Sequence, residues 1–161
     1  MLPVDALSPL DGRYAPQLAD VSSAFSEAAL IRARVRVEVE WLICLASHTA
    51  IPGTAPLTAG ETTSLRGIVN QFNGTDAERV KAIETRTRHD VKAVEYYLAE
   101  HLASLGLADR VPFLHFALTS EDVNNLSYAL LMANGVRGAW RSRATALIET
   151  TRDLAVATRS A

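Results

Sequence analysis

Apolar positions recur at helical spacing along most of the chain. Between residues 20 and 49, flanks rich in helix-forming residues enclose the stretch "RVRVEVEW", in which polar and apolar residues alternate with period two. The alternation alone is typical of a strand, whereas the flanks and the i,i+4 pairs that begin at Arg34 and Arg36 favour a helix. Over the whole window we predict a helix.

The later helices are predicted from their N-terminal caps. A threonine is followed three residues later by an acidic residue in Thr58–Glu61, Thr75–Glu78, Thr87–Asp90 and Thr119–Asp122. In such a capping box, reciprocal hydrogen bonds satisfy backbone N–H groups that a helix leaves free at its start. Gly74 and Gly106 are predicted to end the helices that precede them.

The last helix carries a narrow apolar stripe. Its members recur at spacings of three or four residues or at sums of these: Val123, Leu126, Leu130, Trp140, Ala144, Leu147 and Leu154. Such a stripe is typical of a helix inside a bundle, and it requires partner helices to cover it. Asn134, Gly135 and Gly138 interrupt the helix, and we predict a kink or a close helix approach there.

Together these patterns predict an all-α fold. We expect residues 1–112 to form a small N-terminal helical domain. Residues 113–161 are predicted to contain the first long helix of a central helix bundle that is truncated in this chain.

Composition narrows the class of protein. Apolar residues make up 48% of the 161 residues and charged residues 21%, which is typical of a soluble globular protein. The net charge of −2 gives no basic footprint for nucleic acid or an anionic membrane, so we expect neither partner. No secretory signal is visible, and the single Cys44 suits a reducing compartment, so a cytoplasmic location is expected. Histidine and cysteine spacings predict no metal site, and we expect no cofactor.

Small polar groups crowd the start of the last helix in "HFALTSEDVNNLSYALLM". Thr119 and Ser120 lie at its cap, and the poor helix formers Asn124 and Asn125 lie in its first turns. Hydroxyls and free N–H groups at a helix N-terminus bind carboxylate or phosphate well. The structural alternative is an ordinary capping box whose asparagines face solvent or make a polar contact.

Basic residues crowd the start of another predicted helix in "TRTRHDVKAVEYY". Arg86, Arg88 and His89 lie where the helix dipole disfavours cations, so this local conflict indicates an anion site. Asp90 either caps the backbone or orients His89 and fixes its tautomer. The alternative interpretation is a solvated basic turn.

A third stretch, "LDGRYAP", combines a turn with a guanidinium and a phenol. Arg13 and Tyr14 are either ordinary surface residues or groups that face a phosphate.

The order of three motifs identifies a family resemblance. The stretches "SPLDGRY", "TRTRHDVKAVEYYL" and "FLHFALTSEDVNNLSYAL" resemble the N-terminal part of bacterial adenylosuccinate lyases, within the fumarase/aspartase superfamily. The resemblance extends from about residue 8 to about residue 155. It implies β-elimination in purine biosynthesis. Adenylosuccinate would give AMP and fumarate, and the succinylated aminoimidazole carboxamide ribotide would give its carboxamide ribotide and fumarate. It also implies a homotetramer with active sites built from three subunits.

The resemblance implies roles for the residues that match its motifs. The nucleotide phosphate would contact Arg13 and Tyr14. The second cluster would consist of Arg88, His89 and Asp90, with His89 near the phosphate or assisting the catalytic acid. Some members of the family carry Asn at the position of Arg88, which implies a backbone or positioning role for it.

The carboxylate end of the substrate would meet the third motif. The resemblance implies that Thr119 and Ser120 bind the succinyl carboxylates, with Asn124 and Asn125 as supporting residues. The family's histidine acid and serine base lie in "THGQPAT"-like and "SSxMPxKxNP"-like segments, which these 161 residues lack. The alternatives are a non-catalytic truncated helical module that binds nucleotide or associates with a full-length lyase, and a purely structural adaptor.

We therefore expect the 161-residue chain by itself to release no fumarate from adenylosuccinate, because the acid and base segments of the family are missing from it. A spectrophotometric assay of fumarate release by the purified chain tests this. Measurable turnover would contradict the expectation.

Overall fold

The computed structural model describes residues 5–48 and 50–159, and within them every regular element is helical. The longer helices are α1 (Ala19–Phe25), α2 (Glu27–Ser47), α3 (Ala59–Gln71), α4 (Gly74–Thr87), α5 (Asp90–Ser104), α6 (Ser120–Asn134) and α7 (Arg141–Thr158). Short 3-10 helices cover Ala15–Gln17 and Ala108–Phe113, and a π-helical segment covers Gly135–Trp140. The prediction of an all-α fold is confirmed.

The chain divides into two compact units. Leu30–Ala129 forms one of them, and the segments on either side of this range form the other. The predicted boundary between residues 112 and 113 remains a prediction.

Helix α2 supplies the centre of the Leu30–Ala129 unit. Ala33, Arg34 and Val35 are consecutive and all buried, so the helix is enclosed on more than one face. The strand-like alternation arises because Arg34 and Glu38 are buried together with the valines between and beside them, whereas Arg36 is exposed. The helical prediction for this window is confirmed, with one interruption. Ser26 takes an extended conformation (ψ 165°) between α1 and α2, and its hydroxyl accepts a hydrogen bond from the Ala29 N–H.

Apolar side chains of α3, α4 and α5 pack around α2. The core includes Val35, Val39, Leu42, Leu65, Val80, Ile83, Val94, Leu98 and Leu102. The ring of Tyr97 stands edge-on to that of Phe72, with centroids 5.9 Å apart. Burial raises the pKa of the Tyr97 hydroxyl, which is consistent with an aromatic side chain used for packing.

Two of the four predicted capping boxes are confirmed. Thr58 and Glu61 exchange hydrogen bonds at the start of α3. Thr119 and Asp122 do the same at the start of α6. Gly106 follows α5 with φ +74°, as predicted for a residue that ends a helix.

The boxes predicted at Thr75 and Thr87 are wrong. Helix α4 begins earlier than predicted, because Asn73 caps it in a reciprocal box with Asp76. Gly74 is therefore the first residue of α4 and ends no helix.

Helix α5 is capped by a residue that the sequence pattern did not select. Thr87 is the last residue of α4, and Arg88 takes a left-handed conformation (φ 52°) that ends it. The chain then reaches His89, whose ring accepts a hydrogen bond from the Lys92 N–H in place of the usual capping hydroxyl.

The predicted irregularity after Asn134 is confirmed as a π-helical segment with a close approach. Gly135 is buried, and a Cβ placed on it would overlap the ring of Phe25. The apolar stripe of the last helix is largely exposed in the described residues. Val123 is fully buried, whereas Trp140 and Leu147 are 64% and 68% exposed.

We predict that Gly135→Ala destabilises the chain by about 1–3 kcal/mol, because the new methyl group must displace the Phe25 ring. The matched control is Gly138→Ala in the same segment. The methyl group added at residue 138 has no neighbouring atom within 4 Å, so this substitution should be neutral or slightly stabilising. Urea unfolding of both variants measures the difference. In a Phe25→Ala background the penalty at Gly135 should disappear, and a penalty that persists would contradict the steric explanation.

Candidate functional site

Two helix N-termini meet in the Leu30–Ala129 unit. His89 caps α5, Ser120 is the first residue of α6, and the His89 Nε2 lies 3.5 Å from the Ser120 Oγ. Both side chains are at least partly accessible. The first N–H groups of a helix have no intrahelical acceptor and carry the positive end of its dipole. The structure thus brings an imidazole, a hydroxyl and two positive helix ends to one place.

The cap of α5 determines which nitrogen of His89 carries the proton. The Lys92 N–H donates to Nδ1 over 3.2 Å, so Nδ1 must present its lone pair. In the neutral ring the proton therefore lies on Nε2, which faces Ser120. Asp90 Oδ1 is 3.6 Å from Nδ1, so the backbone N–H of Lys92 has the closer contact with this nitrogen.

Asp90 and Asn124 are joined by a buried arginine. The Arg34 side chain is 7% exposed, and its Nη2 lies 2.6 Å from Asp90 Oδ2. Its Nε donates to Asn124 Oδ1 over 3.0 Å. One guanidinium on α2 thereby contacts the first turn of α5 and the second turn of α6.

The surroundings of Asp90 favour its charged form. Burial on its own would raise the pKa of this carboxyl. The hydrogen bond from the Val91 N–H and the charge of Arg34 outweigh that effect and lower the pKa. Asp90 is therefore a carboxylate that keeps the buried Arg34 paired.

The hydroxyl of Thr119 is engaged in the capping box. It donates to Asp122 Oδ2 over 2.8 Å and accepts from the Asp122 N–H over 3.3 Å. The pKa of Asp122 is lowered mainly by the hydrogen bond from the Thr119 backbone and secondly by the one from its hydroxyl. The Ser120 hydroxyl, by contrast, lies near the His89 ring. Ser120 is thus the more available of the two hydroxyls.

A second buried charge on α2 fixes the loop before α6. Glu38 is fully buried and accepts hydrogen bonds from the His115 N–H over 3.1 Å and from its Nδ1 over 2.6 Å. Burial raises the pKa of Glu38, and the contacts with His115 oppose that effect. His115 and Ala117 have positive φ values of 59° and 60°, a conformation that costs energy for residues with a side chain.

The remaining predicted site residues are placed differently. Arg88 is exposed and ends α4 through its backbone. Its N–H donates to the backbone carbonyl oxygen of Glu84 over 2.7 Å. Asn125 is exposed as well. Arg13 and Tyr14 belong to the other compact unit, where the Arg13 guanidinium lies 4.9 Å from the Tyr14 ring centroid. The structure therefore brings together His89, Asp90, Thr119, Ser120 and Asn124.

Sequence reasoning missed Arg34, Glu38 and His115 as members of this network. The i,i+4 spacing of Arg34 and Glu38 predicts a local pair, whereas each pairs with another part of the unit. Buried charges require partners, but the sequence does not distinguish Arg34 and Glu38 from the exposed Arg36 on the same helix, so it carries no signal that selects them.

Two further findings concern the described part of the chain. Among residues 5–48 and 50–159, no group of three or more His, Cys, Asp or Glu side chains is arranged to hold a metal ion. None of the helices described there has the length and apolar character that crossing a membrane requires.

Comparison with known proteins defines the class. Residues 12–161 match a family model described as lyase, so the chain belongs to this lyase family. It is 44% identical to the adenylosuccinate lyase of Escherichia coli (strain K12) over 156 residues, which cover 94% of this chain and 33% of that protein.

Two further relatives carry the same name. The adenylosuccinate lyase of Haemophilus influenzae is 49% identical over 129 residues, which cover 80% of this chain and 28% of the relative. That of Dictyostelium discoideum is 42% identical over 134 residues, which cover 81% of this chain and 29% of the relative. The chain thus spans about a third of the length of the curated relatives it matches.

We predict that Asp90→Asn lowers the free energy of unfolding at neutral pH by about 2 kcal/mol. This value lies between those for exposed and buried ion pairs, because Asp90 is partly exposed and Arg34 is not. Since the folded-state pKa of Asp90 is lowered, its contribution is present above the unfolded value of 3.8 and is lost as pH falls through the folded value.

Urea unfolding at a series of pH values checks this, with Glu40→Gln as the control. Glu40 forms an exposed ion pair with Arg66, so its loss should cost less than about 1 kcal/mol. A difference between wild type and Asp90→Asn that persists unchanged well below pH 3.8 would contradict the assignment.

Proposed function

We propose that this chain supplies anion-binding residues for the cleavage of adenylosuccinate to AMP and fumarate by β-elimination. The observation that carries the proposal is the meeting of His89 Nε2 and Ser120 Oγ at two helix N-termini. Membership of the lyase family and the names of the relatives support it. The succinylated aminoimidazole carboxamide ribotide presents the same succinyl group and is proposed as a second substrate.

The chemistry requires groups that stabilise negative charge. A base removes a proton next to a carboxylate, electron density moves onto that carboxylate, and an acid protonates the departing nitrogen. Hydrogen-bond donors fixed around the growing charge lower the barrier. Ser120 Oγ–H and the N–H groups at the start of α6 suit this task, and His89 Nε2–H provides a further donor beside them.

Thr119 and Asp90 contribute differently under this proposal. The Thr119 hydroxyl already donates to Asp122, so this residue mainly shapes the helix start from which Ser120 projects. Asp90 does not face the substrate as a donor. It holds the first turn of α5 against Arg34 and keeps His89 at its cap.

The phosphate end of the substrate is assigned to Arg13 and Tyr14, in line with the motif "LDGRY". Both side chains are exposed, and the guanidinium offers a fork of donors that matches phosphate oxygens. The exposed Arg88 is assigned a backbone role in ending α4.

The remaining parts of the reaction are assigned outside the 161 residues. We propose that the main acid and base come from segments beyond this sequence and that the working protein is a cytoplasmic homotetramer. An exposed apolar stripe that includes Trp140, Leu147 and Leu154 supports association through the last helix.

We predict that Ser120→Ala reduces kcat for adenylosuccinate by roughly 10²–10³-fold in the gene product that contains these residues, because it removes one donor to the developing carboxylate. Fumarate release measures kcat. The alanine retains the helix start, since the capping box uses Thr119 and Asp122.

The control is Thr58→Ala, which breaks a capping box of the same chemistry at the start of α3. It should lower stability by about 1 kcal/mol and leave kcat unchanged. Wild-type kcat in Ser120→Ala would exclude a role for this hydroxyl in the reaction. A wild-type gene product that cleaves neither purine intermediate would remove the proposed function altogether.

A further inference from the structure

We propose that Arg34 is a positioning residue that holds His89 and Ser120 at their working separation. The proposal rests on the proposed function, since it concerns the same pair of groups. Arg34 lies on α2, and its side chain contacts neighbours of His89 and Ser120 on α5 and α6. It acts through Asp90 and Asn124.

The contacts of Arg34 link the two helices that carry the site. Its Nη2 pairs with Asp90, which directly follows the capping residue His89. Its Nε donates to Asn124, which lies one helical turn after Ser120. Ser120 and Asn124 belong to the same hydrogen-bonded helix, so a shift of Asn124 along the axis of α6 carries Ser120 with it. One rigid planar group therefore fixes both helix starts.

The guanidinium is required for its shape as well as its charge. It presents donors in a planar fork, so two acceptors on different helices are held at a set separation. A lysine at this position keeps the charge for Asp90, but its single ammonium group lacks the rigid fork. We infer that Arg34→Lys retains the ion pair and loses the fixed spacing of α5 and α6.

A matched control lies on the surface of the same unit. Arg66 pairs with Glu40 through both Nε and Nη2, each 2.8 Å from a carboxylate oxygen. It also joins two helices, α3 and α2, but its side chain is 52% exposed. Arg66→Lys thus makes the same chemical change at a bidentate arginine that is not connected to His89 or Ser120.

The first experiment measures fumarate release by the complete gene product in wild type, Arg34→Lys and Arg66→Lys. We expect kcat to fall about 10–100-fold in Arg34→Lys with KM changed less than about threefold, because a displaced donor acts mainly on the transition state. Arg66→Lys should match wild type. Asn124→Ala should lower kcat as well, and adding it to Arg34→Lys should cost little more, since both changes break one linkage.

A core variant separates positioning from stability. Ile68→Val lowers stability through lost packing on α3, and it should leave kcat unchanged. A kcat for Arg34→Lys within threefold of wild type would overturn the proposal. So would an equal loss of kcat in Ile68→Val, because the effect would then follow stability alone.

The second experiment does not depend on turnover. Diethyl pyrocarbonate modifies accessible imidazole nitrogens, and mass spectrometry follows each histidine separately. We expect the rate at His89 to change at least threefold in Arg34→Lys, with His101 unchanged as the internal reference. If the wild type is inactive but this rate changes, the proposed function fails and the positioning role stands. If the wild type is active and neither kcat nor this rate changes, only the positioning role fails.

Discussion

The burial of charge on α2 is the constraint on which the Leu30–Ala129 unit depends. Arg34 and Glu38 project from a helix that is enclosed by apolar side chains, and an unpaired charge there would cost several kcal/mol. Each charge therefore requires a partner from another part of the unit. Arg34 takes Asp90 and Asn124, and Glu38 takes His115. The chain segments that carry the candidate site are thus fixed to the core by electrostatics as well as by packing.

Glu38 also accounts for the unusual backbone before α6. His115 and Ala117 both have positive φ, which is unfavourable without compensating contacts. The buried carboxylate accepts two hydrogen bonds from His115, one from the backbone and one from the ring. Trp41, which also lies on α2, donates a hydrogen bond from its indole N–H to the backbone carbonyl oxygen of Phe116. These contacts hold the loop in a conformation that delivers Thr119 to the start of α6.

The sequence predicted most of the helices and several residues that lie close together in the structure, such as His89 and Ser120. It failed where the contacts that fix the structure join residues distant in the chain. Capping chemistry is local, so Thr58 and Thr119 were identified correctly. The box predicted at Thr87 was wrong because a left-handed Arg88 allows His89 to cap α5, and no local rule selects an imidazole for that task. Arg34 and Asn124 are 90 residues apart in the chain, so their hydrogen bond could not be predicted from spacing.

Helix capping makes the adjacent hydroxyls of Thr119 and Ser120 differ in availability. A hydroxyl has one proton to donate, and that of Thr119 goes to Asp122. If Thr119 donated to a ligand carboxylate instead, the capping box would lose a hydrogen bond and α6 would lose stability. Ser120 has no part in the box, so it can donate to an anion without weakening its own helix. The capping box uses the proton of the Thr119 hydroxyl. It also fixes the first turn of α6, from which the Ser120 hydroxyl projects with its own proton free to donate to an anion.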